Sequence, residues 1–306
     1  MTDADLLRDR GLNPPADTPA DILREYARLV TTLWADGRAL PLADFRIDPA
    51  DEGLLFGRGA WESTRTVGGT PWLWPLHLDR IRQTCELLAI SLDPSRLPTA
   101  DQVREFVRSL TSQEVVVRLN VTAGRPGWPG LVWLTAAPQP VTPAGLRLRS
   151  VRSPVQKGQA YLTLKTFHYA TRLRIGQQAA EAGFDTALLL DADDNLQEAS
   201  HANIFLRLPG GWVTPTADGG FLPGTVRHHL LASSPLPVRE GVVPYAAVAT
   251  AREVFVSGSN VGLVPVTLID GTALPVGPET RQLMAWALPH TPGVQWRVAN
   301  RGLDRR

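Results

Sequence analysis

Leu164-Lys165-Thr166-Phe167-His168-Tyr169 contains one of only two lysines in a chain of 306 residues with 31 basic side chains; the other is Lys157, and the rest are arginine. Arginine equals or betters lysine in salt bridges and phosphate clamps, but a guanidinium stays protonated and cannot form a Schiff base, whereas a desolvated amine can. A lysine kept in so arginine-rich a sequence invites a chemical role, set against the plainer reading of a solvated side chain. Working outward, an alternating strand from Leu146 to Val151 precedes the segment, and a helix from about Thr166 to Ala182 follows it. A strand Thr186 to Asp191, a turn at Asp193-Asp194-Asn195 and a strand Ile204 to Leu208 come next, with mixed strands and helices to the end.

Toward the N-terminus, Ala136 to Gly145 carries Pro138, Pro140 and Pro143 and reads as an interdomain linker. Before it, Val115 to Val121 and Leu131 to Thr135 are β-rich and flank the Gly/Pro loop at residues 124–130. Leu76 to Ile90 predicts a helix with a buried stripe of Leu78, Ile81, Cys85 and Leu88, and with His77, Arg80 and Thr84 aligned on a flanking face. Asp36-Gly37 signals a hairpin. Thr18-Pro19-Ala20-Asp21 reads as a capped start to a helix bearing Ile22, Leu23, Tyr26, Leu29, Val30 and Leu33. The expected organisation is a helical extension over 1–31, a small α/β domain over 32–137, a Pro-rich linker over 138–145 and a large α/β domain over 146–306 that carries Lys165.

A net charge of +1 gives no field for gathering nucleic acid or an anionic membrane. No apolar run is long enough to span a bilayer, and the acidic start, Met1-Thr2-Asp3-Ala4-Asp5, is unlike a signal peptide, so a cytoplasmic protein is expected. The lone Cys85 forms no internal disulfide or thiolate zinc site and is expected to be packed; no metal is implied. A Walker loop, H-E-x-x-H and G-x-S-x-G are all missing, and Gly57-Arg58-Gly59 lacks the third glycine of a dinucleotide fingerprint.

Six segments in a fixed order carry more information. They are Asp51 to Arg65 around Gly57-Arg58-Gly59-Ala60-Trp61-Glu62-Ser63-Thr64, His77-Leu78-Asp79-Arg80-Ile81, and the Lys165 segment. Glu198-Ala199-Ser200-His201-Ala202-Asn203-Ile204-Phe205, Phe221-Leu222-Pro223-Gly224-Thr225-Val226-Arg227 and Glu253-Val254-Phe255-Val256-Ser257-Gly258-Ser259 complete the set. Over roughly residues 32 to 290 the chain resembles the class IV aminotransferases, the fold-type-IV pyridoxal-phosphate family of branched-chain aminotransferases, D-amino-acid aminotransferases and 4-amino-4-deoxychorismate lyases. The resemblance implies an α/β (α+β), D-amino-acid-aminotransferase-like fold of two domains with pyridoxal 5'-phosphate between them, acting on a small-molecule amino substrate, usually as a homodimer.

Residue by residue, the resemblance implies that Lys165 forms the Schiff base and shuttles the substrate proton, and that Glu198 pairs with the pyridine nitrogen. It implies that Arg80 clamps the phosphate, with Gly224, Thr225, Val226, Gly258 and Ser259 completing the phosphate cup. The family often has Ile-Thr after the glycine, so Thr225-Val226 moves the hydroxyl by one place. The plainer readings are a turn carboxylate for Glu198, a surface salt bridge with Asp79 or Glu86 for Arg80, and simple turns for the two cup segments.

Lys165-Thr166-Phe167-His168-Tyr169 looks like the K-S-F-H-Y form of lyases, and the segment Ser257 to Val266 is similar to lyase endings. Thr122-Ala123-Gly124 lacks the arginine of the T-R-G segment in the D-amino-acid branch. Arg118 falls where branched-chain enzymes place a carboxylate-binding arginine, or is a strand-edge charge. Trp61 and Trp128 are candidate pocket walls or core aromatics, and His168 a candidate substrate residue or a packed histidine. The reaction expected first is 4-amino-4-deoxychorismate lysis to p-aminobenzoate and pyruvate. The alternatives are transamination of an L-branched-chain or other amino acid with a 2-oxo acid, and a non-catalytic cofactor-binding relative.

Overall fold

The computed structural model describes residues 2–154, 163–218, 220–287 and 297–298. Lys157 lies outside them. In the first half of the chain, α1 (Asp3–Asp9), β1 (Leu12–Asn13), α2 (Ala20–Thr31), β2 (Thr32–Ala35) and β3 (Arg38–Pro41) lead to α3 (Glu52–Phe56) and β4 (Gly59–Val67). They are followed by β5 (Thr70–Pro71), α4 (Trp74–Leu87), α5 (Ala100–Leu110), β6 (Val115–Thr122) and β7 (Val132–Pro138). The sheet is antiparallel throughout, in the order β3-β2-β7-β6-β4-β5. Asp36 and Gly37 both take positive φ, 46° and 87°, the sign needed at the two central residues of a tight turn whose twist matches its strands.

The second half contains β8 (Leu146–Arg152), α6 (Ala170–Glu181), β9 (Thr186–Leu190), β10 (Leu196–Ala199), β11 (Ala202–Leu208) and β12 (Gly211–Pro215). Then come α7 (Thr225–Ser233), β13 (Val238–Gly241), β14 (Glu253–Gly258), β15 (Gly262–Ile269), β16 (Thr272–Ala273) and α8 (Pro278–Ala287). Its sheet runs β10-β9-β8-β15-β14-β11-β12-β13, and β10 also pairs with β11, so six strands close on themselves. A further strand, β17 (Arg297–Val298), pairs with β1. Among the described residues, no helix is long and apolar enough to cross a membrane.

The chain divides into two compact units, each with its own core. The expected boundaries give way at three points. Residues 1–31 are no appendage: Leu7, Tyr26 and Leu29 are buried in the same core as Leu119 and Leu134 of the first sheet. The linker is shorter than 138–145, because β7 runs to Pro138 and the division falls between Val141 and Thr142. Lys165–His168 belongs with the first unit, since this segment hydrogen-bonds along β4, while the second unit resumes at Tyr169.

Local corrections have equally simple causes. The helix expected from Thr166 starts at Ala170, because the preceding residues are extended against β4. Thr18 does not cap α2; its hydroxyl donates to the Pro15 carbonyl and Pro19 occupies the cap position. On α4 the buried face is Trp74, His77, Ile81, Thr84 and Cys85, with Leu78 and Leu88 only partly covered. His77 and Thr84 were expected on the flank, and a buried carboxylate on β4 explains the polar member, His77.

Candidate active site

In the first unit, alternation along β4 sends Trp61 and Ser63 to one face of the sheet and Glu62 to the other. Register sets Trp61 opposite Asn120 and Ser63 opposite Arg118, so Arg118 shares the face of Trp61. The Lys165 segment adds to the edge of β4. Trp61 N–H donates to the Lys165 carbonyl at 3.0 Å, Phe167 N–H to the Gly59 carbonyl at 3.0 Å, and the indole Nε1–H to the Thr166 carbonyl at 2.9 Å. The lysine Nζ thereby comes to 3.8 Å from the centre of the Trp61 ring, and Arg118 Cζ lies 3.8 Å from the same centre. Arg118 is also oriented by a 2.9 Å bond from its Nε to Asn120 Oδ1. Two cations over one indole gain from its quadrupole while concentrating positive charge beside the amine.

This edge pairing requires glycine at position 59. A Cβ there would lie 2.6 Å from Phe167 Cδ2 and 3.0 Å from the Val121 carbonyl oxygen. Gly59→Ala is expected to destabilise the protein by about 1–3 kcal/mol through overpacking and to reduce cofactor loading. Thermal unfolding and absorbance of the purified variant check this, and unchanged stability with full loading would count against it.

On the opposite face of β4, Glu62 is fully buried and accepts from Arg80 through Nε at 2.7 Å and Nη2 at 2.7 Å. His77 Nδ1 lies 2.6 Å from Glu62 Oε2. Burial pushes the Glu62 carboxyl up, but the Arg80 charge and hydrogen bonds outweigh it and hold the group down to about 2. Burial depresses His77, and Glu62 only partly opposes this. The imidazole is therefore a neutral donor from Nδ1 to an ionised carboxylate. Arg80 does not pair with Asp79, which bonds Arg82 instead.

In the second unit, the two-residue connection at Ser200-His201 folds β10 onto β11 and sets Glu198 opposite Asn203, which in turn lies opposite Ser257 of β14. The result is a polar row across three buried strands. Glu198 is only 3% exposed and lies in a strand, not in a turn. Its Oε1 is 2.5 Å from Arg172 Nη2 on the first turn of α6 and accepts from the Leu222 N–H at 3.4 Å. Asn203 accepts from Gly224 N–H at 3.0 Å and donates to the Leu222 carbonyl at 3.0 Å, pinning the loop that enters α7. At the α7 start Thr225 Oγ1 lies 3.1 Å from Ser259 Oγ, whereas Val226 is buried. The hydroxyl at this helix start is therefore that of Thr225. A Cβ on Gly258 would meet only ordinary contacts. Tyr169 Oη is 2.8 Å from His201 Nδ1, with the two rings stacked.

Of the sequence-predicted residues, the first unit brings together Lys165, Trp61 and Arg118. Trp128 is not a core aromatic: it is 62% exposed and stacks on Arg125. His168 is exposed, and its ring occupies the space a Cβ on Gly57 would take. Sequence reading missed Glu62, Asn203, Ser257 and Arg172 as site residues. No local spacing links Glu62 to the His77 and Arg80 helix face, because their strand-to-helix pairing is a tertiary fact.

The family model for amino-transferase class IV matches residues 59–269. The chain belongs to that family. Among curated relatives, it is 26% identical to a putative branched-chain-amino-acid aminotransferase of Methanocaldococcus jannaschii, over 82% of this chain and 93% of the relative. It is 24% identical to the aminodeoxychorismate lyase of Bacillus subtilis, over 78% of this chain and 86% of the relative. Among solved structures, 4-amino-4-deoxychorismate lyase from Pseudomonas aeruginosa superposes with a TM-score of 0.72 at 29% identity, covering 83% of this chain and 97% of that one. A hypothetical aminotransferase from Mycobacterium tuberculosis gives a TM-score of 0.77 at 19% identity, covering 84% and 96%.

The family is pyridoxal-phosphate-dependent, and the residues present fit that cofactor. The first unit supplies a primary amine beside an indole. The second supplies a buried carboxylate, a helix start with a hydroxyl pair, and a Ser257 Oγ that is buried with no hydrogen-bond partner among the described residues.

Proposed function

We propose that the chain is a pyridoxal-phosphate-dependent 4-amino-4-deoxychorismate lyase that releases p-aminobenzoate and pyruvate. The observation that carries this reading is the placement of Lys165 Nζ and Arg118 over Trp61. A guanidinium held beside an amine on one buried indole suits an amino substrate that bears carboxylates. The resemblance of the Lys165 segment to lyases and the 29% identity to the Pseudomonas aeruginosa lyase support it. When bound, pyridoxal phosphate holds amines through its aldehyde and draws electrons from the carbon that loses a proton.

In this reading Lys165 Nζ would hold the cofactor through its aldehyde and, as a free amine, would take the proton from the substrate carbon bearing nitrogen. The electron pair left there forms the aromatic ring as the bond to the enolpyruvyl oxygen breaks, and that fragment takes up a proton to become pyruvate. Glu198 holds the pyridine nitrogen protonated. Arg80, with Gly224, Thr225, Val226, Gly258 and Ser259, binds the phosphate. Arg118 and Trp61 receive the substrate, with Trp128 and His168 as further candidates. The working form is a cytoplasmic homodimer. Aromatisation drives the elimination, so substrate orientation does more than any added catalytic group.

Incubation with freshly generated 4-amino-4-deoxychorismate is expected to yield p-aminobenzoate and pyruvate in equal amounts at catalytic rates. No product from a cofactor-loaded enzyme would reject the lyase and favour transamination. Arg118 supports that second reading as a carboxylate partner, and amino donors with 2-oxoglutarate or pyruvate would then test it.

A further inference from the structure

We propose that Arg172 is a positioning residue for Glu198, holding its carboxylate as an anion in one orientation toward the cofactor's pyridine nitrogen; this rests on reading Glu198 as that nitrogen's partner. Glu198 lies in a strand and is almost wholly buried, an environment that favours the neutral carboxyl over the anion. A neutral carboxyl offers a protonated ring nitrogen no opposite charge. Arg172 supplies the missing cation at 2.5 Å, from the first turn of α6.

The contact also fixes geometry. Glu198 Oε1 collects donors from two separate elements, Arg172 on α6 and the Leu222 N–H in the loop before α7. Arg172 is itself anchored, with Nη1 3.4 Å from the Ser200 carbonyl oxygen, two residues along the chain from Glu198. Burial works against the Arg172 charge, and Glu198 more than offsets it, so the guanidinium is held more firmly protonated than usual. Tyr169, the other titratable group facing Arg172 among the described residues, acts in the same direction. A charge-assisted bond of this kind outlasts a neutral one in a site closed to water.

An arginine that merely ties α6 to β10 would have no dependence on the cofactor's ring nitrogen. The test therefore compares pyridoxal phosphate with its carbocyclic analogue, in which C–H replaces that nitrogen. Dissociation constants for both are measured by absorbance titration of the full chain resolved of cofactor, in wild type, Arg172→Met, Arg172→Lys and Glu198→Gln. Wild type is expected to prefer pyridoxal phosphate by roughly tenfold or more, Glu198→Gln to erase the preference, and Arg172→Met to reduce it by about tenfold. Arg172→Lys should restore most of it. Arg172→Gln carries the same comparison where Arg172→Met does not fold. Weakening of both ligands alike in Arg172→Met, with Glu198→Gln still selective in its loss, would leave Arg172 structural and overturn the proposal alone. Full preference in Glu198→Gln would remove the reading of Glu198, and this proposal with it.

Discussion

Lys165→Ala is expected to lower turnover by roughly 10⁴-fold or more, because it removes the amine proposed to hold the cofactor aldehyde and move the substrate proton. The backbone around the position is fixed independently of the side chain: the Lys165 carbonyl accepts from Trp61, and Thr166 pairs with Ala60. Truncation thus removes chemistry while leaving the edge of β4 intact, at the cost of one cation–π contact worth about 0.5–1 kcal/mol. Thermal unfolding of the variant should stay close to that of wild type. Borohydride reduction of the wild-type enzyme followed by peptide mapping should place a pyridoxyl group on Lys165 and none on Lys157. A label elsewhere, or wild-type rates in Lys165→Ala, would overturn the assignment.

Glu62→Gln destabilises the fold by about 3–5 kcal/mol, the usual result when one partner of a buried ion pair is removed. Arg80 would keep its charge with no anion beneath it, and the single amide oxygen of glutamine could not accept from both Arg80 and His77 as the two carboxylate oxygens do. The folded-state value of Glu62, about 2, lies below its ordinary value of 4.5, so its contribution is complete above pH 4.5 and disappears as pH falls toward 2. At neutral pH that linkage is worth about 3 kcal/mol. Denaturant titrations between pH 7 and pH 2 should show wild type losing this increment on acidification and Glu62→Gln lacking it. Equal stability of the two proteins at pH 7 would contradict the role given to the buried triad. Cofactor affinity should fall with stability, since Glu62 sets the direction of the Arg80 guanidinium.

Glu62 and Arg172 mark where the sequence stopped being readable. Lys165 stands out twice in the sequence as a candidate, by its rarity among arginines and by its motif, and Glu198 and Arg80 stand out by theirs. The partners of those residues do not. Glu62 and Arg80 are separated by a turn and a strand, and Arg172 and Glu198 by most of a helix and one strand, so neither pair has a local spacing. Nothing in the sequence singles Arg172 out among the other arginines, and Asn203 enters only as one member of a motif segment.

The sequence by itself determined what depends on short-range covalent geometry: the Asp36-Gly37 hairpin, the periodicity of β6, β7 and β8, the family motifs and their order. It misplaced the start of α6, because Thr166 to His168 read as helix when considered alone. Tertiary structure decided the rest. Backbone groups of Lys165, Thr166 and Phe167 find partners along β4, and those hydrogen bonds outweigh the local helical tendency of the segment. Burial then converts isolated charges into obligate pairs, since an ionised group removed from water must find an opposite charge or surrender its own.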